Sequence, residues 1–391
     1  MDAAKPSLEL LRSLTDEHVL RALMQRRRLT RAELAAETGL SKPTVGESVR
    51  RLTQAGLVAD TGERTPGGRG RGRVGSYYAL ATGIGTALAV SIAPEGVVAE
   101  SVDAHGGTVG RAEENLGRPA RPEQVAAALR TAVAGTRSET WRGTGPAARL
   151  AVVSAADPVD RATGRLVHLP DAPFLLGEMD PAAILAPHVD GPVIVDNDVN
   201  WAARAERDAP AAAALDDFAY VFLGEGLGAA LISDGNLTRG HRGLAGEIAH
   251  LITTGPRGQA MRLIDVFGAL ELRQAGSTAV DVGRLLAATA GPEPRAAATR
   301  RTLGRAVSGA LAGIAALADP ELVIIGGPWG SHPPILDAIS AAAQDLPQEV
   351  RVRAAALTTE PSLAGARADA ISRLRSSIIA AAGHRHTIAR R

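Results

Sequence analysis

The stretch VIVDNDVNWAARAE, Val193 to Glu206, runs from β-branched residues through two carboxylates and two amides into an alanine-rich segment. A strand that ends in such a turn sets polar side chains at the mouth of the following helix. There a polyol can be held and one of its hydroxyls deprotonated. Asp198 is therefore a candidate for a catalytic base or for a residue that recognises a hydroxyl-bearing ligand. The competing reading is structural, with Asp198 capping the helix through Trp201–Glu206.

Strands and helices alternate on both sides of this turn. TALAVSIAPEGVVAESVDAHG, from Thr86, reads as two strands about a turn at Ala93–Gly96, and ARPEQVAAALRTAVAGT, from Ala120, as a helix. A second set follows. DFAYVFLGEGLGAALISDGNL, from Asp217, reads as a strand pair, TRRTLGRAVSGALAGIAALADP as a long helix, and ELVIIGGPWG as a strand ending in a glycine turn. One βββαβαβα-type lobe stated twice predicts an α/β body with a cleft between its halves.

The amino-terminal stretch reads differently. LTDEHVLRALMQRRRLTRAELAAETGLSKPTVGESVRRLTQAGLVAD, from Leu14, predicts three helices. Asp16 caps the first, Thr30 the second with Glu33 at the capping-box spacing, and Ser41 the third. Gly39 ends the second helix, and Pro43 falls in the first turn of the third, where N–H groups have no helical partner. Val45, Val49 and Leu52 form an inward stripe. Lys42, Pro43, Thr44, Glu47, Arg50 and Arg51 are then the candidates to reach base edges and phosphates in a major groove. A strand, a Gly/Arg loop and a second strand follow, and Arg69, Arg71 and Arg73 on that loop suit a wing lying along DNA phosphates. The alternative is a helical bundle for protein contacts with a solvated arginine loop.

Totals limit the classes. The 391 residues are 45% hydrophobic and 22% charged, which suits a small domain plus a large two-lobed one. The absence of cysteine excludes disulfides, thiolate zinc sites and cysteine nucleophiles. No apolar run reaches the ~18–20 residues a bilayer needs, and the first residues lack the order of a signal peptide, so a cytoplasmic protein is expected. Residues 1–80 carry 14 Lys and Arg against 9 Asp and Glu, whereas the rest is slightly acidic. A basic head on an acidic body fits a module that meets phosphate.

The body resembles the ROK family of sugar kinases and sugar-responsive repressors, of the actin/hexokinase-like ATPase fold. The head is similar to the winged helix-turn-helix of the repressor branch. The resemblance runs from about Asp16 to about Ile379 and is most specific at GEGLGAALISDGNLTRGHRGLAGEIAH, Gly224 to His250, where a glycine turn precedes G-x-A-G-E-x-x-H. It implies that Asp198 stands where the kinases place the base for the sugar hydroxyl, with Asn197 as a sugar contact. Glu247 and His250 correspond to a sugar contact and to a residue serving sugar or zinc. Asp265, in IDVFGA, stands where a sugar-binding glutamate is expected, one methylene shorter.

Departures from the family pattern carry as much information. The cysteine-rich zinc loop is replaced by LITTGPRGQAMRLIDVFGALELR, so no structural zinc is expected. The first phosphate turn, D-x-G-G-T in the kinases, corresponds here to SIAPEG; Pro94 has no N–H to donate and Glu95 repels a triphosphate. In the second, GEGLG, Glu225 replaces a threonine. No cofactor is expected, ATP included, and no metal.

The expectation is a winged helix-turn-helix over 1–80 and a ROK-like effector domain over 81–391. Lobe 1 spans about 81–197 plus the C-terminal helix, and lobe 2 about 198–374. The function expected is a DNA-binding transcriptional regulator, a repressor, that senses a sugar or sugar derivative without phosphorylating it. Its partners are then a double-stranded DNA operator, the sugar effector and a second copy or more in a homodimer or homotetramer, with no membrane. The alternatives are an ATP-dependent sugar kinase with an added head, and a regulator that answers to a protein partner. The basic tail after Ile379 reads as a solvated end.

Overall fold

The computed structural model describes residues 8–65, 75–137, 148–169, 173–210 and 215–388. In the head, α1 (Leu8–Arg26), α2 (Arg31–Thr38) and α3 (Lys42–Gln54) pack with β1 (Arg28–Thr30), β2 (Val58–Arg64) and β3 (Ser76–Leu80) in a sheet of order β1-β3-β2. The capping box of α2 is complete. Thr30 Oγ1 accepts from Glu33 N at 3.2 Å and Glu33 Oε2 from Thr30 N at 2.7 Å. Gly39 ends this helix at φ +69°, and Ser41 Oγ caps α3 by accepting from Thr44 N.

Asp16 does not cap the first helix. It lies inside α1, 1% exposed, where it accepts from Ser48 Oγ and Arg51. The cap reading failed because α1 begins earlier, at Leu8. The short strand β1 was not expected; it pairs antiparallel with β3 through Arg28↔Ala79 to Thr30↔Tyr77.

The body repeats one sheet. In lobe 1, β4 (Ala87–Ala93), β5 (Gly96–Val102), β6 (Thr108–Asn115), β7 (Ala151–Ala155) and β8 (Val193–Asn197) form the order β6-β5-β4-β7-β8. The first three are antiparallel and the last two join in parallel. Helices α4 (Pro122–Gly135) and α5 (Pro181–Leu185) cover one face of this sheet, with Val125, Leu129 and Leu185 in its core.

After α6 (Asp198–Asp208), lobe 2 restates the pattern with β9 (Phe218–Leu223), β10 (Leu227–Ser233) and β11 (Asn236–Thr238). A short hairpin follows, β12 (Ile252–Thr254) and β13 (Ala260–Arg262), and then helices α7 (Leu263–Ala269), α8 (Val282–Thr289) and α9 (Pro294–Ala318). Then come β14 (Leu322–Gly326), α10 (Pro333–Ala343) and β15 (Val352–Ala354), and the sheet order is β11-β10-β9-β14-β15. The two orders are the same order twice.

The last helix, α11 (Pro361–Ile388), packs on α6, β4 and β7, so it belongs with lobe 1. It starts at Pro361, and lobe 2 therefore ends before the expected 374. It also carries the chain on as helix beyond Ile379, where a solvated end was expected. Gly365 permits its close contact with α6, because a Cβ there would stand 2.0 Å from the Trp201 carbonyl oxygen. Leu20 and Leu23 of α1 share one buried core with Leu374 and Ile378 of α11 and with Val152 of the lobe 1 sheet. The head is thus fixed to lobe 1 through apolar burial. Among the described residues no helix is long and apolar enough to cross a membrane.

Candidate functional site

On the head, α3 presents Lys42, Pro43, Glu47 and Arg50 to solvent, with Thr44 half-buried at the cap. Arg50 Nη2 lies 2.5 Å from Glu47 Oε2, and its guanidinium holds the Glu47 carboxyl below the usual range. Arg51 departs from the expectation. Its side chain is only 19% exposed and reaches back to Asp16 at 2.6 Å, a pairing between helices that the helical period of α3 cannot show. Arg69, Arg71 and Arg73 lie outside the described residues.

The second site is a cleft of about 610 Å³ between the lobes. From lobe 1 it is lined by the β4–β5 turn with Pro94 and Glu95, and by Asp157 after β7. From lobe 2 it is lined by the Gly224–Gly228 turn and by Glu247 and His250. Asn197 and Asp198 enter at the start of α6, and Pro361 to Leu363 at the start of α11.

Local hydrogen bonds fix these side chains. Asn197, not Asp198, is the N-cap residue of α6; its Oδ1 accepts from Val199 N at 3.0 Å while its Nδ2 donates to the Ala155 and Asp157 carbonyls. Asp198 Oδ1 also accepts from Val199 N at 2.8 Å. Glu247 is placed by Gly246, at φ +99°, whose missing Cβ lets the chain run against the Ala229 carbonyl oxygen. His250 is exposed at the cleft.

Burial raises the Asp198 carboxyl to about 7. Burial first, then the Asp198 charge, raises Glu247 to about 7. Burial first, then Asp198 and Glu247, raises Asp157 to about 8.

Asp265 does not join the cleft. Its carboxylate is held by Arg262 at 2.7 Å and Arg273 at 3.0 Å, and both guanidinium groups keep it below the usual range. Asp265 sits in the first turn of α7, and its neighbour Ile264 lines the cleft instead. Glu225 lines the cleft, but its charge is met by Arg118 at 2.5 Å. Beside the glycine turn after β14, buried Trp329 donates Nε1–H to the Gly224 carbonyl at 2.8 Å, and Pro328 of that turn lines the cleft.

Two residues escaped the sequence reading. Asp196, 5% exposed, accepts from Arg239 at 2.6 Å and from Asn200 at 2.8 Å, and so ties β8 to α6 and to the loop after β11. Its signal lay in the opening stretch, as the first of two carboxylates. Asp157 lies in AADPVD, where a carboxylate beside a proline in a loop gives no sign of being buried.

Together these features define a two-lobed, actin/hexokinase-like α/β body behind a winged helix-turn-helix head. A family model described as ROK family matches residues 102–262, and one described as winged helix-turn-helix DNA-binding matches residues 12–59. A winged helix-turn-helix segment over residues 12–59 thus precedes a ROK family segment over residues 102–262.

Among solved structures it is similar to a ROK family transcriptional regulator, a homologue of the E. coli MLC protein. The TM-score is 0.63 at 18% identity, over 94% of this chain and 99% of that one. It is also similar to the ROK glucokinase of Streptomyces griseus in complex with glucose and AMPPNP, with a TM-score of 0.53 at 25% identity over 73% and 98%. Among curated relatives, the bifunctional enzyme NanE/NanK of Brucella suis biovar 1 (strain 1330) is 31% identical over 175 residues, 44% of this chain. That match spans only 32% of the relative's own length.

Proposed function

We propose that this chain is a DNA-binding transcriptional regulator, a repressor, whose kinase-like body senses a sugar or sugar derivative without phosphorylating it. The observation that carries this reading is the β4–β5 turn, where Pro94 and Glu95 face the cleft in place of a phosphate-binding turn. Pro94 has no N–H to offer a phosphate, and the Glu95 carboxylate repels one. A base without a phosphoryl donor has no transition state to stabilise, which leaves Asp198 as a ligand contact.

The placement of α11 supports coupling between cleft and head. Its first residues line the cleft, and Leu374 and Ile378 lie in one core with Leu20 and Leu23 of α1. A ligand that favours one lobe arrangement can bias the head through this helix, provided it binds the two arrangements with different affinity. In a homodimer or homotetramer this would change the spacing of two recognition helices on a palindromic operator.

The test is a gel-shift titration against DNA upstream of the chain's own gene and of neighbouring sugar-uptake genes, at fixed salt, with and without a panel of sugars. Specific binding altered by one sugar is expected. Absence of specific binding would remove the regulator reading.

A second reading, an ATP-dependent sugar kinase, is favoured by Asp198 alone, raised to about 7 where a base is poised to work near neutrality. Mg²⁺-dependent, sugar-stimulated ATP consumption that disappears in Asp198→Asn would establish it.

A further inference from the structure

We propose that the effector of the interlobe cleft carries a positive charge, as an amine-bearing sugar does, and that its cationic nitrogen sits against Asp157. The proposal deepens the effector reading above and rests on it.

The cleft is lined by seven carboxylate side chains, and among the described lining residues there is no lysine or arginine. Only His250, at the exposed rim, offers a basic group. Two of the seven are answered from outside the lining, Glu225 by Arg118 and Glu360 by Arg111. The fold therefore supplies cations to carboxylates at the edge of the cleft but none to those at its floor.

Asp157 stands out among the remaining five. It is 2% exposed and lines the cleft, and its Oδ2 has no hydrogen-bond partner. Its only hydrogen bond in reach comes from the Leu175 backbone. Its backbone carbonyl accepts from Asn197 Nδ2, which pins the loop that carries it. A buried carboxylate oxygen left without a partner is costly and needs a proton or a cation.

Asp198 and Glu247 share the same cavity, and both raise Asp157 by their charge, while Glu95 acts on Asp198. A neutral sugar can satisfy hydroxyl-to-carboxylate hydrogen bonds but brings no charge to offset these groups once all three ionise. One ammonium or protonated ring nitrogen supplies that charge to all three carboxyl groups and completes the Asp157 hydrogen bonds. A bare metal ion fits less well, since among the described residues no three His, Asp or Glu side chains converge to hold one.

The experiment is calorimetric titration of the full chain at neutral pH with matched probes: D-glucose, D-glucosamine and N-acetyl-D-glucosamine, the corresponding galacto and manno sets, and 1-deoxynojirimycin. We expect one amine-bearing probe to bind about tenfold or more tighter than its hydroxyl and N-acetyl counterparts, a charge-assisted contribution. Asp157→Asn should remove most of that preference. Glu247→Gln, on the other lobe, should weaken the preference in the same direction and serves as the second variant if Asp157→Asn does not fold.

Neutral sugars that bind as tightly as the amines, or a preference that survives both substitutions, would overturn the inference and leave the effector reading standing. Failure of every probe to bind would overturn both.

Discussion

Arg51 Nη2 lies 2.6 Å from Asp16 Oδ1, so the middle of α1 is clamped to the recognition helix α3 by a buried carboxylate. Ser48 Oγ donates to the same oxygen at 2.6 Å. Removing one side of such a pair leaves the other charge uncompensated. Asp16→Ala is expected to destabilise the head by on the order of 2–3 kcal/mol, while Asp16→Asn, which can still accept from Ser48, should cost less. Denaturant melts followed on the head check this. Equal melting of wild type and Asp16→Ala would mean that the pair contributes nothing.

Arg50 and Asp198 lie at opposite ends of the proposed mechanism. Arg50→Ala should lower operator affinity about tenfold and flatten its salt dependence, with sugar affinity unchanged. Asp198→Asn should weaken sugar binding and leave operator affinity alone. Gel shifts and calorimetry on both variants read out the two effects, and damage to both activities by both substitutions would sink the two-site mechanism.

Gly365 sets how closely α11 approaches α6. A Cβ there meets the Trp201 carbonyl oxygen at 2.0 Å, a backbone atom that cannot swing aside. Gly365→Ala is expected to cost about 2 kcal/mol or more, seen as a lower Tm. An unchanged Tm would show that the two helices can separate freely.

The buried carboxyl groups make stability fall as pH rises. Asp157 is raised from the ordinary carboxylate range to about 8. Between about pH 4 and pH 8 the folded chain therefore holds a proton that the unfolded chain has lost. Stability is greatest at the acid end of that window and declines through it. For Asp157 the decline is on the order of 3 kcal/mol, allowing for relaxation around the buried group. Asp157→Asn should flatten the Tm–pH curve between pH 5 and 8. An equally steep curve in the variant would assign the dependence to other groups.

Much of this was legible along the chain. The caps Thr30 and Ser41, the stop at Gly39 and the inward stripe of Val45, Val49 and Leu52 are local patterns, and local hydrogen bonding realised them. The doubled lobe follows from the alternation of strand and helix signals over 86–326, while the strand order β6-β5-β4-β7-β8 and its repeat come from the fold. Asn197, Asp198, Glu247 and His250 were brought to one cleft. Asp265 was not, because Arg262 and Arg273 capture its carboxylate, and Arg273 comes from a loop whose course no spacing rule gives. Arg51 was misread for the same reason, its partner lying 35 positions away.

By itself the sequence determined most of the elements, the caps Thr30 and Ser41, the doubled lobe and the absence of thiolate chemistry. These depend on neighbours within a few residues or on composition. The tertiary structure alone decided which carboxylates are paired and which are left bare. Asp157 and Glu247 are 90 positions apart, and come from different lobes to share one cavity. Charge, burial and pKa depend on distance in space, which falls off within a few ångströms and leaves no mark in the order of residues.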